Sequence, residues 1–339
     1  MSTTTTETVW SARSEDPAPA PAPAMIPTRG LIRATLRVHQ SALWFWGLLV
    51  VLAAGGLLWA AGPGVDAAWA EYVKSGCKEV DYCEVGPAYS RFDLTVGLAS
   101  TALAVAPILI GAWAGGALIA RELESGTARL AWTQSVSPAR WLAAKLAVPA
   151  ALIASGTTLL TLLHRLVWWS DEELRHTLGT RDWFTPTTFA ANGTAATAYA
   201  LLGLAVGAVA GLLLRRSLPG LAVGLLGTGV LMATLESNRH RLWPVETLVS
   251  KTAEPAWRGW TGEMVDRGFI TSTGERVSDV ACTDDACGRT DAVSFYTDFH
   301  PSSHFWPLHL VETGIVLTVT ALLVLAAFRL LRHRTGGAV

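Results

Sequence analysis

The stretch that decides the fold is Arg121–Lys145, RELESGTARLAWTQSVSPARWLAAK. It is a charged, amphipathic segment that separates two apolar runs, Leu94–Leu118 before it and Leu142–Leu163 after it. Each run is long enough to cross a hydrocarbon layer about 30 Å thick. Within the stretch, Ser137 followed by Pro138 is typical of a helix start, because a serine caps free amide groups and proline fits the first turn. The pattern therefore predicts a short helix held at a membrane face by two spanning helices.

The composition of the whole chain is that of a membrane protein. Of its 339 residues, 51% are hydrophobic and only 16% are charged, whereas a soluble domain has about 25% charged residues. The 15 tryptophans, many of them beside apolar runs, suit aromatic belts at the two membrane interfaces. No secretory signal is expected, since the first residues are polar or weakly amphipathic. No feature points to nucleic acid.

Hydropathy predicts an all-α polytopic membrane protein with six transmembrane helices. The predicted spans are Ser41–Gly62, Leu94–Leu118, Leu142–Leu163, Phe189–Leu214, Leu218–Leu235 and Pro307–Leu331. The fifth is the shortest and the richest in glycine, so a re-entrant hairpin with the fourth is an alternative. The predicted outer loops are 63–93, 164–188 and the large 236–306, which we expect to form an extracellular cap.

Charge predicts the orientation. Twelve Lys and Arg residues lie in the Arg29–Arg37 segment, in Arg121–Lys145, in the Arg215-Arg216 turn and in Arg329–Arg334. Short basic segments stay in the cytoplasm. We therefore expect both termini and the loop 119–141 to be cytoplasmic. Residues 1–27 should form a disordered tail, 28–40 an amphipathic interfacial helix, 307–331 the last span and 332–339 a cytoplasmic tail.

Two groups of residues resemble a known family. The first group resembles the first cytoplasmic loop of type-2 ABC exporter permeases. It consists of residues 121–127 and 130–137, together with Arg140-Trp141 and Lys145. The likeness is greatest to the actinobacterial branch, with its E-x-G-T, L-A-W-T-Q-S and R-W-x-x-x-K elements. A second group of residues resembles the entry to that family's last membrane helix. It consists of Phe299–Pro301, Phe305–Pro307 and Glu312–Gly314.

The resemblance implies a permease subunit of the plasma membrane. Such a subunit is not an enzyme and holds no cofactor; a separate cytoplasmic ATPase subunit binds ATP and Mg²⁺, and a second permease copy completes a homodimer or heterodimer. The coupling residues implied are Glu122, Glu124, Gly126, Thr127, Ala128, Arg129, Ala131 and Trp132. Glu122 and Glu124 would offer carboxylates to the ATPase, and Ala128, Ala131 and Trp132 would form the docking face. In the alternative reading, that face packs on the membrane.

Three further sites follow from the spans. Gly203, Gly207 and Gly211 form one stripe, which predicts close helix packing within the subunit rather than between subunits.

In related exporters the second and fifth spans line the translocation path. The corresponding segments here, Val96–Trp113 and Leu221–Leu235, are almost wholly apolar, which favours a lipophilic or amphiphilic cargo. Trp113 and Glu312 are candidate path residues. The alternative for Glu312 is a hydrogen bond to His309 or water near the outer interface.

All four cysteines, Cys77, Cys83, Cys282 and Cys287, lie in predicted outer loops, which indicates disulfides. Three connectivities are possible, and local pairing (77–83 and 282–287) is favoured. A metal site of Cys282, Cys287, His300 and His304 is disfavoured because Pro301 interrupts the histidine pair.

No catalytic constellation and no G-x-x-x-x-G-K-[ST] phosphate loop is present in the sequence. The alternative function is a non-transporting sensor, anchor or immunity protein whose cap binds a ligand.

Overall fold

A computed structural model describes residues 28–76, 86–134, 136–178, 181–251, 262–279 and 292–336. The predicted N-terminal tail and all four cysteines lie outside the described residues, so the disulfide prediction stays a prediction.

Twelve α-helices are defined within the described residues. They are α1 (Thr28–Val38), α2 (Gln40–Trp59), α3 (Val65–Lys74), α4 (Pro87–Trp113), α5 (Arg121–Glu124), α6 (Thr127–Thr133), α7 (Pro138–Ser170), α8 (Glu172–Leu178), α9 (Pro186–Ala191), α10 (Ala195–Leu214), α11 (Ser217–Asn238) and α12 (Phe305–Arg334). Six helical stretches are long and apolar enough to cross a membrane: Gln40–Lys74, Pro87–Glu124, Pro138–Ser170, Ala195–Leu214, Ser217–Arg241 and Ser302–Arg334. The prediction of six spans in a helical membrane protein is confirmed.

Two of the predicted spans, the first and the fourth, differ in form from the observed helices. The first helix does not end at Gly62; it passes through a π-helical turn, Ala60–Gly64, directly into α3. The wider turn contains Pro63, which lacks the N–H of a regular helix. The predicted fourth span, Phe189–Leu214, is interrupted between α9 and α10. Asn192 leaves the helix there, and its side-chain oxygen lies 2.9 Å from His164 Nδ1.

The helix of the fifth span is long enough for a full crossing rather than a re-entrant hairpin. Its helix α11 has 22 residues, which corresponds to about 33 Å at the usual rise of 1.5 Å per residue. That length exceeds the hydrocarbon thickness of about 30 Å.

The centre of the bundle is formed by α4 and α10. The most apolar part of α10 has 67% of its residues buried, and the most apolar part of the span that contains α4 has 61%. The corresponding share for the span that contains α2 is 6%. Burial in α10 follows its small residues, because alanine and glycine let neighbouring backbones approach closely. The other four spans therefore surround this pair and leave wide apolar faces exposed.

The segment between α11 and α12 contains a feature that hydropathy did not predict. It forms a four-stranded antiparallel sheet with the order β1-β4-β2-β3. The strands are β1 (Glu246–Ser250), β2 (Gly262–Thr271), β3 (Arg276–Ser278) and β4 (Ala292–Pro301). The register of β2 with β4 shifts between Met264 and Asp266, which marks a bulge. The predicted cap thus has a β-sheet in its described part.

Candidate functional site

The segment between the second and third spans has the predicted form of short helices at a bundle end. The α4 helix continues through a π-helical stretch, Ala114–Ala120, into α5. Gly126 then adopts a left-handed conformation with φ of 77°, which glycine accepts without strain. The chain turns there into α6, and Ser137 caps the start of α7, accepting a hydrogen bond from the Arg140 amide at 3.4 Å. We call 121–134 the α5–α6 segment.

Glu122 ties the α5–α6 segment to α7. Its Oε1 lies 2.5 Å from Lys145 Nζ, and its Oε2 accepts a hydrogen bond from Trp141 Nε1 at 3.1 Å. The Lys145 ammonium also lies 3.0 Å from His39 Nε2, at the junction of α1 and α2. Burial and the neighbouring Lys145 charge lower the pKa of His39 to about 4, against the opposite influence of Glu122. A neutral His39 therefore accepts a hydrogen bond from the Lys145 ammonium, and three elements meet at one ion pair.

Glu124 ties the same segment to the start of the fifth span. Its Oε2 accepts hydrogen bonds from the Ser217 backbone amide, at 2.8 Å, and from the Ser217 hydroxyl. Ser217 is the first residue of α11, so the carboxylate lies at a helix N-terminus, where free amides and the helix dipole favour negative charge. The Glu124 carboxylate therefore connects α5 directly to α11.

These contacts correct the predicted roles of the two acids. Glu122 and Glu124 were expected to face basic groups on a partner, but both carboxylates are used inside this chain. Sequence reasoning missed Ser217. Lys145 belongs to the R-W-x-x-x-K element, and its spacing of four from Trp141 was the available signal, since residues four apart share one helix face.

The predicted docking face of α6 is also turned inward. Ala128 is fully buried, and Trp132 packs against the same core and meets Trp141 edge to face, with ring centroids 5.7 Å apart. Ala131 is half-buried. The face of Ala128, Ala131 and Trp132 therefore holds α6 on the bundle and does not present a knob to a partner.

The opposite side of α6 is exposed. Arg129 and Thr133 are exposed, and the Leu130 side chain is 58% exposed. The Thr127 hydroxyl lies 3.3 Å from the Glu122 carbonyl oxygen and so supports the turn at Gly126. The exposed face of α6 thus consists of a cation, an apolar side chain and a hydroxyl.

A small cleft of about 100 Å³ lies beside this face, where α6 meets the ends of α10 and α12. Three arginines line it: Arg129, Arg215 and Arg334. All three are exposed, and no ion pair with a carboxylate is found for any of them within the described part of the chain. Arg334 does donate to the Leu212 carbonyl oxygen. This end of the bundle therefore carries uncompensated positive charge.

The glycine stripe of α10 packs on α4 within the chain. A Cβ at Gly203, Gly207 or Gly211 would come within 3 Å of a backbone oxygen, that of Pro107, Gly111 or Gly115 respectively. Glycines of α11 approach α4 in the same way from the other side. The second span is therefore held between the fourth and fifth by close backbone contact.

Glu312 is fully buried and paired with a residue that sequence reasoning did not identify. Arg239 donates to its carboxylate from Nε at 2.6 Å and from a terminal nitrogen at 3.1 Å, and the Tyr199 hydroxyl donates at 2.5 Å. The expected partner His309 instead accepts from the Ala195 amide at 3.0 Å. The Arg239 guanidinium also lies over the Phe189 ring, 3.9 Å from its centroid. Glu312 therefore joins α10, the end of α11 and α12.

Trp113, the other candidate path residue, lies near the Glu122 end of the bundle. Its ring meets His39 edge to face, with centroids 5.5 Å apart, and it is half-buried. The two candidate path residues are thus not brought together.

The histidines of the disfavoured metal site do approach each other. His300 Nδ1 and His304 Nδ1 lie 3.1 Å apart, but within the described ranges no group of three or more His, Cys, Asp or Glu residues could hold a metal ion.

The fold and its polar contacts define a class: a multi-pass helical membrane protein whose spans are linked at one end by a short helical segment. The chain belongs to the family described as ABC-2 membrane transporter related, whose sequence pattern matches residues 47–239. The matched range contains the α5–α6 segment and ends at Arg239. Membership makes the chain a membrane transport component of the ABC-2 permease type. No curated protein and no solved structure matched the chain.

Proposed function

We propose that this chain is the membrane-spanning permease subunit of an ATP-driven exporter that moves a lipophilic or amphiphilic cargo outward. The observation that carries the proposal is the linkage of the α5–α6 segment to two spans at once. Glu122 binds Lys145 of α7, and Glu124 binds the first residue of α11. A force on this segment would reach the third and fifth spans through polar contacts and the second span through the continuous helix.

The partner in this proposal is a cytoplasmic ATPase that supplies ATP, Mg²⁺ and the hydrolytic chemistry. The exposed face of α6 and the three-arginine cleft are basic, so we expect an acidic surface on the ATPase. Leu130 would be the apolar anchor, because a well-packed side chain surrounded by polar contacts contributes most to an interface. Arg129, Arg215 and Arg334 would orient the partner, since charged rims set partner choice and association rate.

The orientation in the membrane follows from crossings and charge. Six crossings would put α1, the end of α12 and the α5–α6 segment on one side of the membrane and the sheet on the other. The basic residues near α1, α6, α10 and the end of α12 favour the cytoplasm for the first side. The sheet would then lie outside the cell membrane, where the four cysteines would meet an oxidising environment and pair.

We infer the nature of the cargo from the apolar residues that the fifth span exposes. Leu221, Leu226 and Val230 of α11 are 41%, 62% and 63% exposed, and the α11 stretch is one of the least buried spans. We propose that this apolar face lines the path together with a second permease copy. Such a path disfavours ions and sugars, because polar groups lose hydration there without replacement hydrogen bonds.

The test is purification of the full chain from its native membranes, followed by identification of co-purifying proteins and reconstitution. The proposal expects an ATPase subunit in the complex and ATP-dependent movement of an amphiphilic probe. Recovery of the intact chain without an ATPase, together with ligand binding by the sheet, would favour the non-transporting sensor. A less costly first step is to look for an ATPase gene beside the gene of this chain, which the proposal expects to find.

A further inference from the structure

A basic concavity lies where α1 meets α2. Arg33 and Arg37 are one helical turn apart, both are exposed, and α1 contains no acidic residue. Neither arginine forms an ion pair with a carboxylate among the residues the structure describes. The other residues that line this concavity are Leu36, Gln40, Leu43, Trp44 and Gly47. Two uncompensated cations thus face the same space at the membrane end of α2.

An apolar groove continues from this concavity along α2. Its first section, of about 250 Å³, lies between α2, α4 and α7 and shares Leu43 with the basic concavity. Its second section shares Phe45, Leu49 and Ala102 with the first and extends to Gly56. We call the two sections together the α2 groove.

The dimensions of the α2 groove fit a hydrocarbon chain. From Leu43 to Gly56 a helix rises about 20 Å, which exceeds the roughly 15 Å depth of one leaflet's hydrocarbon. A section of about 250 Å³ is smaller than the usual site for a drug-sized ligand. Trp46 Nε1, an indole nitrogen in the wall, donates to the Leu152 carbonyl oxygen at 3.2 Å, so it does not call for a polar ligand group.

We propose that the basic concavity and the α2 groove together bind one anionic phospholipid of the leaflet on the α1 side. Its phosphate lies against Arg33 and Arg37, and one acyl chain lies along α2 and α4. The groove opens sideways on the most exposed span, so the lipid enters from the bilayer without crossing water. The charge and the adjoining apolar channel favour this occupant over a neutral lipid, and the site does not depend on transport.

The experiment is native mass spectrometry of the full chain in detergent, titrated with phosphatidylglycerol or with phosphatidylcholine of the same acyl chains. We expect one phosphatidylglycerol to bind about 30-fold more tightly than phosphatidylcholine, since each basic side chain near a membrane surface contributes roughly fivefold. Arg33→Gln with Arg37→Gln should remove that preference. Arg329→Gln with Arg332→Gln, which changes the net charge equally outside the groove, should keep it.

A second pair of variants tests the apolar part. Ala102→Phe places a ring where the two sections of the groove meet and should weaken binding of both lipids at least tenfold. Gly97→Phe adds the same bulk on α4 at a position with no atom within 4 Å of the new Cβ and should leave binding unchanged. Equal affinity for the two lipids, equal effects of the two arginine pairs, or equal effects of the two phenylalanine variants would each overturn the proposal.

Discussion

Glu122 Oε1 and Lys145 Nζ lie 2.5 Å apart, and this contact joins the four-residue helix α5 to the 33-residue helix α7. Only 18% of the Glu122 side chain and 6% of the Lys145 side chain are exposed. The pair is therefore largely removed from water, and its second carboxylate oxygen is bound by Trp141. The contact fixes the α5–α6 segment on the bundle and would transmit force from it.

Replacing Glu122 by Gln should destabilise the protein by about 2 kcal/mol, because a hydrogen bond to a charged group is lost and the ammonium is left without its counter-ion. Thermal unfolding in detergent measures the effect. Glu173→Gln, at an exposed position, is the control. The exchange Glu122→Lys with Lys145→Glu should recover part of the loss, and an unchanged melting temperature for Glu122→Gln would refute the role of the pair.

The pH dependence of stability should contain a contribution from His39. Its pKa in the folded protein is lowered from 6.5 to about 4, so between these values the unfolded chain binds a proton that the folded chain does not. Stability from this group is complete above pH 6.5 and declines as the pH falls toward 4. Melting temperatures across this range should fall more for the wild type than for His39→Gln. His333→Gln, at an exposed position, should behave as the wild type does.

Removing one partner of the buried pair Arg239–Glu312 should cost about 3–5 kcal/mol, because the remaining charge is left buried and unpaired. Glu312→Leu alone should therefore be much less stable than Glu312→Leu combined with Arg239→Leu. The double variant also distinguishes a structural role of Glu312 from a role in transport. If Glu312 is a structural residue, the double variant still transports; a stable but inactive double variant would place Glu312 on the path.

Gly207→Ala should disturb the contact of α10 with α4, since the new Cβ would come within 3 Å of the Gly111 carbonyl oxygen. We expect a loss of about 1–3 kcal/mol, typical of overpacking. Gly314→Ala on α12 is the matched control, because no atom lies within 4 Å of its added Cβ. There the alanine should stabilise the helix by up to about 1 kcal/mol. Similar melting temperatures for the two variants would contradict backbone contact at the glycine stripe.

Local pattern in the sequence was sufficient for much of the fold. The six spans follow from runs of apolar residues, and the start of α7 follows from Ser137-Pro138. The stripe of Gly203, Gly207 and Gly211 follows from a spacing of four. Each of these signals lies within one element, so its physical cause is visible without the tertiary structure.

The features that sequence reasoning missed all depend on contacts between distant segments. Arg239 and Glu312 are 73 positions apart, and Glu124 and Ser217 are 93 apart. The sheet was missed because its strands pair out of chain order and β4 has no regular alternation of buried and exposed residues. The inward face of α6 was misassigned because an alanine and tryptophan face is equally suited to packing on the bundle and to docking on a partner.

In the proposed mechanism, the exposed face of α6 docks on an ATPase. Arg129→Glu with Leu130→Ala changes two exposed side chains that lie outside the hydrophobic core. Arg332→Glu with Leu213→Ala is the matched control, with an exposed arginine and an exposed leucine near the same end of the bundle.

The direct measurement is the affinity of the full chain, in lipid nanodiscs, for the ATPase that co-purifies with the wild type, together with the ATP hydrolysis of the complex. We predict that the α6 variant binds at least about tenfold more weakly, as expected for loss of an anchor residue and a charge. Its complex should also lose stimulated hydrolysis, while the control binds and hydrolyses as the wild type does. An α6 variant that keeps wild-type affinity and wild-type hydrolysis would contradict the assignment of α6 as the coupling element.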